Sequence, residues 1–303
     1  MTLTTVLASI AQESSTSLKM LRRQIHADTR LHQVGFYLSL ALTLFVSLFP
    51  FYVMLATSLT TDDAIYLDNP TLIPQAVTLK QYTVLFSSDT FAFTSYFFNS
   101  AVVASITATF SLVVGIIGAY SFTRLEYPGN TLIRRGVVVV YMLSAITVVV
   151  PLFQLIARLG LVDTRLSLLI TYTVSTLPLT LYMLWNYFES LPVAIEEAAM
   201  LDGYSRVETI FRVVVPLSLP VLVATFLFAF KIAWNEYIFA SVFLKSQAKL
   251  TLPIGIEQMN ANFSNVWGQI MAASFLTTLP IVIMFLYLEK YMVEGLTAGA
   301  VEG

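Results

Sequence analysis

The sequence predicts an all-α membrane protein with six transmembrane helices. Of its 303 residues, 57% are apolar and 11% are charged, whereas soluble domains carry about 25% charged residues. The apolar residues gather into long runs, and a helix needs about 20 such residues to cross a bilayer core. These observations override the length of the chain, which alone would suggest about two soluble domains.

Six apolar runs are long enough to cross the membrane. In chain order they cover 35–57, 98–122, 136–156, 167–188, 219–241 and 268–288. The first run is too long, and starts too far from the beginning of the sequence, to be a cleaved signal peptide. The predicted organisation is therefore a cytoplasmic N-terminal segment at 1–34, a transmembrane domain at 35–288 and a cytoplasmic tail at 289–303.

The basic residues predict the orientation of the chain. With the N-terminus inside, ten of the sixteen Lys and Arg residues fall in inner segments, five in outer ones and one in the fifth span. Cytoplasmic loops carry an excess of Lys and Arg. Both termini and the loop 189–218 are therefore predicted to be cytoplasmic.

The longest outer segment, 58–97, is predicted to be folded. Its alternative is a disordered connector, which would contain few aromatic and aliphatic residues. The segment instead intersperses such residues among its polar ones: Tyr66, Leu72, Ile73, Leu79, Tyr82 and Phe86.

Several kinds of chemistry are excluded by composition. The chain has no cysteine, so it has no disulfide, thiolate metal site or Cys nucleophile. Its two histidines, His26 and His32, precede the first span, so no metal site or His-based catalysis is expected in the membrane. The net charge of −2 gives no field that would attract nucleic acid. No G-x-x-x-x-G-K-[ST] phosphate loop is present, so no nucleotide or other cofactor is expected in this chain.

The loop after the fourth span is predicted to begin with a short helix and a tight turn. Ser190 is a candidate N-cap, and Pro192 suits a first turn, where its missing N–H leaves no bond unmade. Glu196 and Glu197 fall near the positive end of the helix dipole. Gly203 stands where a left-handed residue ends a helix.

A second helix and a docking face are also predicted in this loop. Ser205-Arg206-Val207-Glu208 is typical of a capping box, and Pro216 ends or kinks the helix that it opens. On the first helix, Ala194, Ala198 and Leu201 share one face. Small side chains let another protein approach closely, whereas a helix lying on the membrane surface prefers Lys and Arg with bulky apolar residues opposite. Glu and Ala here favour the protein partner.

The loop resembles the EAA loop of ABC-importer permeases. The match consists of Glu197-Ala198-Ala199, then Gly203, then the closure Val213-Val214-Val215-Pro216. Val213 and Val215 stand where Ile and Leu are usual, which is a conservative departure.

Three further stretches are similar to sugar-importer permeases and follow in the expected order. Ala119-Tyr120-Ser121-Phe122-Thr123-Arg124-Leu125 with Tyr127-Pro128-Gly129 resembles their AYAxxRLxFPG stretch, and Trp234-Asn235-Glu236-Tyr237 resembles their WN-acidic-aromatic signature. Residues 293–303 resemble the VxGLTAGAVKG tail of the carbohydrate-uptake subfamily, which contains maltose permease G-type subunits. Glu302 replaces the usual Lys, which puts a basic role there in doubt. The resemblance covers residues 35–303.

The resemblance implies a type I ABC-importer permease fold in a prokaryotic cytoplasmic membrane. It implies a non-catalytic subunit that translocates a sugar, most simply a di- or oligosaccharide. Its implied partners are a second, related permease, two ATPase subunits that bind ATP and Mg, and an external solute-binding protein. The implied contacts to the ATPase are made by Glu197, Ala198, Ala199, Asp202, Gly203 and Pro216 in the loop. The tail residues Leu296, Thr297, Ala298 and Gly299 either touch the ATPase as well or fray.

Polar and aromatic groups in the fifth span are candidates for the solute path, because buried polar side chains in membranes are costly and mark pathways. Lys231 and Asn235 are four residues apart and share a face. Trp234 and Tyr237 could stack on sugar rings. The alternative is that these residues cap helices, anchor at the interface or bond to a neighbouring span.

Two other functions are weighed against the importer. A secondary, ion-coupled transporter usually has internal repeats and broken helices, and the sequence contains no repeat. An intramembrane enzyme would need a base, and Lys231 paired with a serine is the available one. That reading leaves the cytoplasmic loop unexplained.

Overall fold

The computed structural model describes residues 33–66, 73–74, 76–87, 91–262 and 266–298, with the main chain alone at 261–262 and 292–298. The chain divides into two compact units, 1–56 and 57–303. Helix α1 provides the described part of the first unit. It spans Gln33–Ser58 with a mean hydropathy of 2.1, and its side chains are exposed from Gln33 to Tyr52, as suits a helix among lipid chains.

The described residues of the second unit form helices joined by loops, with one isolated bridge between Thr60 and Val77. Its helices, in chain order, are α2 Asp62–Ile65, α3 Lys80–Ser87, α4 Phe93–Arg124, α5 Asn130–Met142, α6 Ala145–Arg158, α7 Arg165–Ser190, α8 Val193–Leu201, α9 Arg206–Thr209, α10 Val215–Leu217, α11 Leu219–Trp234, α12 Ile238–Phe243, α13 Leu252–Asn262 and α14 Trp267–Ala298. A π-helix, Ile210–Val214, joins α9 to α10, and a 3₁₀ turn, Gln247–Lys249, follows α12.

Among the described residues, four helices are long and apolar enough to cross a membrane, and the number rises to six if each of two bent helix pairs is one span. The continuous ones are α1, α4, α7 and α14. The predicted third span, 136–156, is wrong as a single helix, because α5 and α6 meet at an angle of 105°. Leu143 and Ser144 are extended at the junction. Hydropathy shows that a run of residues is long and apolar enough to cross the membrane, but it does not show whether the helix bends within the run.

The predicted fifth span, 219–241, is likewise divided. Helix α11 ends at Trp234 and α12 begins at Ile238. At its other end α11 is bent by 84° from the segment Arg206–Leu217.

Helices α4, α7 and α11 pack together at the centre of the second unit. A Cβ placed on Gly115 of α4 would lie 2.5 Å from Cγ2 of Thr180 on α7, so the absent side chain allows this close approach. Ser111 and Thr176 share a hydrogen bond of 2.7 Å between the same two helices. Small residues and interhelical hydrogen bonds are the usual means by which membrane helices associate.

At the α6–α7 junction, Asp163 joins two loops. Its backbone is left-handed, with φ of 60°, and its carboxylate accepts hydrogen bonds from the N–H groups of Lys245 and Ser246, each at 2.9 Å. Lys249 Nζ donates to the same carboxylate at 3.0 Å. The hydroxyl and N–H of Ser246, with the other donors, hold the pKa of Asp163 well below its usual range.

The described part of the outer segment is folded, as predicted. Of the residues expected to pack, Tyr82 lies against the core and its hydroxyl shares a hydrogen bond of 2.7 Å with that of Ser58, and the Tyr66 hydroxyl accepts from the N–H of Trp267 at 3.1 Å. Gln81 and Leu85 of α3, each 1% exposed, face the bundle, because side chains four apart share a helix face. Gln81 Nε2 donates to Asp62 Oδ1 at 2.6 Å, and this bond lowers the pKa of Asp62. Ile73, Leu79 and Phe86 are exposed, and Leu72 lies outside the described residues.

Candidate functional site

The loop after α7 forms the predicted helix, tight turn and second helix. Helix α8 ends at Leu201, and Gly203 adopts a left-handed conformation with φ of 95°. The N–H of Gly203 donates to the carbonyl of Met200, and the N–H of Tyr204 donates to that of Ala199, each at 3.1 Å. A glycine closes this turn because a Cβ penalises left-handed backbone.

The capping box of the second helix is confirmed. The N–H of Ser205 donates to Glu208 Oε2 at 3.0 Å, and the N–H of Glu208 donates to Ser205 Oγ at 3.3 Å. The N–H and hydroxyl of Ser205 lower the pKa of Glu208.

The helix start predicted at Ser190 is wrong. Helix α7 runs through Ser190, whose hydroxyl donates back to the carbonyl of Tyr187 at 2.7 Å, and the residue before α8 is Pro192.

Pro216 lies in α10, just after the π-helix. Since proline has no N–H, it cannot bond to the carbonyl four residues earlier, which belongs to Arg212. The chain continues through Pro216 and changes direction after Leu217, where α11 departs at 84°. Pro216 therefore precedes the bend by one helical residue.

No described part of the chain covers the predicted docking face of α8. Ala194, Ala198 and Leu201 are exposed, as are Glu197 and Asp202. Leu201 is 89% exposed. A large apolar side chain held at this exposure beside small ones is a feature of interaction surfaces.

The opposite face of α8 is fastened to the bundle by a contact that sequence reasoning missed. Glu196 and Ala199 are its buried residues, so Ala199, which was predicted among the ATPase contacts, lies on this face and not on the exposed one. Arg124 Nε, at the end of α4, donates to Glu196 Oε1 at 2.7 Å, and an Arg124 NH2 group donates to the carbonyl of Leu191 at 2.9 Å. The signals available in the sequence were an arginine at the end of an apolar helix and two adjacent glutamates, Glu196 and Glu197, near the start of α8.

A looser contact joins α5 to α7 nearby. Arg134 lies 3.3 Å from a carboxylate oxygen of Glu189, and its guanidinium lies over the Trp185 ring at 5.2 Å from the centroid. Both charged groups of this pair are partly exposed. Such a pair contributes little to stability.

The four predicted path residues do not form one surface. Asn235 is exposed at the end of α11, where its Nδ2 donates to the Lys231 carbonyl at 2.9 Å. Lys231 lines an apolar cavity of about 350 Å³ between α11 and α14. Tyr237 is exposed. Trp234 is 1% exposed, and its indole N–H donates to the Thr277 carbonyl at 3.1 Å, which favours a packing role.

Glu236, which lies between Asn235 and Tyr237 in the sequence, is a further candidate for the solute path that the structure adds. Its two carboxylate oxygens accept from the N–H groups of Phe239 at 2.9 Å and Ala240 at 3.2 Å. It also lines a cavity between the α5–α6 junction and α7.

The tail contacts remain predictions. Leu296, Thr297 and Ala298 lie in the last turn of α14, where the main chain alone is described. Gly299 and Glu302 lie outside the described residues, as does the segment 1–32.

The fold defines a multi-pass membrane protein with an exposed helix–turn–helix outside its spans. Residues 111–293 match the family described as binding-protein-dependent transport system inner membrane component. The chain belongs to this family of ABC transporter permeases.

Individual relatives agree with this assignment. The chain is 45% identical over 274 residues to the inner membrane ABC transporter permease protein YcjP of Escherichia coli strain K12, an alignment covering 90% of this chain and 98% of that protein. It is 39% identical over 259 residues to the trehalose/maltose transport system permease protein MalG of Thermococcus litoralis, covering 85% and 92%. A chain from the crystal structure of a bacterial ABC transporter involved in the import of the acidic polysaccharide alginate superposes with a TM-score of 0.74 at 21% identity, covering 86% and 96%. This likeness confirms the fold.

Proposed function

We propose that this chain is the permease subunit of an ATP-driven importer that moves a sugar, of di- or oligosaccharide size, across a prokaryotic cytoplasmic membrane. The observation that carries the proposal is the exposed face of α8, fixed on its other side to the spanning helices. The named substrates of a relative that covers most of this chain, trehalose and maltose, support a sugar.

The chain works with partners in this proposal. A separate pair of ATPase subunits binds ATP and Mg, a second and related permease completes the path, and an external solute-binding protein delivers the sugar. Both termini and the helix–turn–helix lie on the cytoplasmic side, in keeping with the excess of basic residues there.

The helix–turn–helix transmits motion between the ATPase and the path. Ala194, Ala198 and Leu201 form the contact that seats in the ATPase, with Glu197 and Asp202 beside it. When the ATPase pair closes on ATP, α8 is displaced. Because Arg124 and Glu196 join α8 to α4 at 2.7 Å, the displacement reaches the spanning helices. This coupling is what converts ATP hydrolysis into alternating access.

The test is purification of the chain from native membranes in gentle detergent, followed by mass spectrometry and reconstitution into liposomes. The proposal expects an ATPase with a phosphate-loop sequence and a second permease to co-purify, and sugar uptake to require ATP. Uptake by the chain alone without ATP would overturn it. Uptake that follows an imposed proton or sodium gradient would establish the ion-coupled alternative.

A further inference from the structure

Three interruptions of regular helix meet at one cavity. The third span breaks between Met142 and Ala145 with a bend of 105°. Pro178 lies inside α7 and lines the same cavity. Glu236 lies in the gap between α11 and α12. The cavity has a volume of about 260 Å³.

Irregular backbone at membrane depth is tolerated only where it is buried in protein or lines a water-filled cavity. Proline has no N–H, so Pro178 leaves the carbonyl of Val174 without its bond from four residues on. Val174 lines the cavity beside Pro178. On the opposite side, Leu143 and Ser144 are extended. The break, the proline and the carboxylate therefore place polar groups around one space.

The cavity wall combines apolar surface with a few polar side chains. Val140, Leu143, Val148 and Ile232 form apolar wall. Tyr141, Ser175 and Glu236 bring a phenol, a hydroxyl and a carboxylate. Small-molecule sites are mostly apolar in this way, with a few polar groups that fix orientation.

The carboxylate of Glu236 is held in place by hydrogen bonds from the protein. Its oxygens accept from the N–H groups of Phe239 and Ala240. Two carboxylate oxygens together have about four lone-pair sites, and the Tyr172 hydroxyl and the Ile238 N–H also interact with this carboxylate, so a ligand hydroxyl would take the place of one of these two partners. A carboxylate whose position is fixed by hydrogen bonds from the protein is preorganised to bind a ligand.

We propose that this cavity holds one sugar ring of the passing solute, with Glu236 accepting hydrogen bonds from ring hydroxyls. The inference rests on the proposed function of the chain as a sugar permease. The volume lies below the roughly 300–1,000 Å³ of sites for larger ligands, so a single ring fits and a disaccharide passes one ring at a time. The apolar wall packs against the C–H face of the ring, and Tyr141 and Ser175 exchange hydrogen bonds with its hydroxyls.

A cation is the other occupant that a carboxylate suggests. Calcium takes six to eight oxygen ligands, and magnesium demands an octahedron. Glu236 is the only carboxylate in the described cavity wall, and most of that wall is apolar. The wall chemistry therefore favours a neutral hydroxylated ligand.

The absence of cysteine from the chain allows a direct test. Ser175→Cys is introduced into the assembled complex in liposomes, and alkylation of its peptide by a small charged thiol reagent is followed by mass spectrometry. The probe sugar is whichever of trehalose and maltose the wild-type complex imports. The sugar is expected to slow labelling of Ser175→Cys at least about threefold, which is the protection that one bound sugar gives at about twice its Kd. Ser190→Cys, exposed at the end of α7, is the control and should label equally with and without sugar.

Glu236→Gln provides the second measurement. Loss of a charge-assisted hydrogen bond should lower the rate of sugar uptake about tenfold or more, while the variant still assembles with its ATPase. Glu289→Gln makes the same change at an exposed site of α14 and should leave uptake unchanged.

The outcomes separate this inference from the proposed function. A wild-type complex that imports neither sugar with ATP refutes the sugar importer itself, before any variant is examined. With import intact, labelling of Ser175→Cys that sugar does not slow, or no labelling in any state, overturns the cavity as a sugar site. Import that depends on sodium or potassium, with the dependence abolished by Glu236→Gln, would make the cavity an ion site and also overturn the proposal.

Discussion

Arg124 Nε donates to Glu196 Oε1 at 2.7 Å, and so the last residue of α4 is joined to the first turn of α8. The two side chains are 9% and 5% exposed. A second bond from Arg124 to the carbonyl of Leu191 holds the guanidinium at the entrance to α8. Buried ion pairs keep their geometry because either partner alone is costly, so this pair fastens α8 to the end of α4.

Replacing one member of this pair should damage both stability and coupling. Arg124→Ala leaves the Glu196 carboxylate buried without its ion-pair partner and with the Tyr120 hydroxyl as a hydrogen-bond donor, and breaking a buried pair costs about 3–5 kcal/mol. We expect a lower Tm for the purified complex and ATP hydrolysis that no longer drives uptake. The exposed pair between Lys80 and Asp62, 65% and 32% exposed, is the control, since Lys80→Ala should cost less than about 1 kcal/mol.

The double variant Arg124→Met/Glu196→Met separates the two effects. Replacing a buried ion pair with apolar residues is often neutral for stability, so Tm should recover toward the wild-type value. Sugar uptake per ATP should stay low, because the hydrogen-bonded ion pair that joins α4 to α8 is absent. Full recovery of uptake in the double variant would show that the pair serves stability alone.

Gly203 should be needed for the turn between α8 and α9. Its φ of 95° costs a residue with a side chain about 1–2 kcal/mol, and nothing lies within 4 Å of a Cβ placed there, so the cost comes from the backbone. Proline, fixed near −65°, cannot form this turn and also loses the N–H that bonds to Met200. Gly203→Pro should therefore uncouple ATP hydrolysis from uptake while the spans still insert.

Gly160→Pro is the matched control for Gly203→Pro. Gly160 is also left-handed, with φ of 68°, and its N–H also donates to a carbonyl three residues earlier, but it lies between α6 and α7. Both variants should lose stability, measured as Tm. Only Gly203→Pro should change uptake per ATP hydrolysed, and equal changes in the two would contradict a special role for the α8–α9 turn.

The exposed face of α8 should decide association with the ATPase. Leu201→Glu places a charge on the side chain that is 89% exposed, and a charge at the centre of an apolar contact costs about 2 kcal/mol or more. We expect ATPase recovery in a pull-down to fall about thirtyfold, with no change in the Tm of the permease. Glu197→Lys should act in the same direction through charge.

Glu126→Lys is the control for Glu197→Lys. Glu126 is exposed just after α4 and lies off the α8 face, so its charge reversal should leave ATPase recovery unchanged. Normal uptake by both Leu201→Glu and Glu197→Lys would refute the docking role of this face.

The sequence predicted the turns and helix caps, which depend on neighbouring residues. It did not predict the helix bends or the contacts between residues far apart in the chain. The left-handed Gly203 and the capping box of Ser205 and Glu208 were predictable because their chemistry lies within a few residues. The bend between α5 and α6 was not predictable, since no Gly or Pro lies next to Leu143 and Ser144 at the junction. The pair between Arg124 and Glu196 joins residues far apart in the chain, and a single sequence contains no distance between them. Ser190 misled because its hydroxyl serves either a following helix start or the preceding last turn.

Asp163 should make the contact between the α6–α7 loop and the segment after α12 sensitive to acid. Its donors hold the pKa below its usual range, so the folded state binds its proton more weakly than the unfolded chain does. The stabilisation is therefore present above the unfolded pKa of about 3.9 and is lost as pH falls through the lower, folded pKa. Asp163→Asn should lower Tm at pH 7, and the difference from wild type should shrink as the pH is taken below about 4. Asp63→Asn, at an exposed position, should leave Tm at pH 7 unchanged. A Tm difference for Asp163→Asn that stays constant down to low pH would mean that the loops are joined by the shape of the side chain and not by its charge.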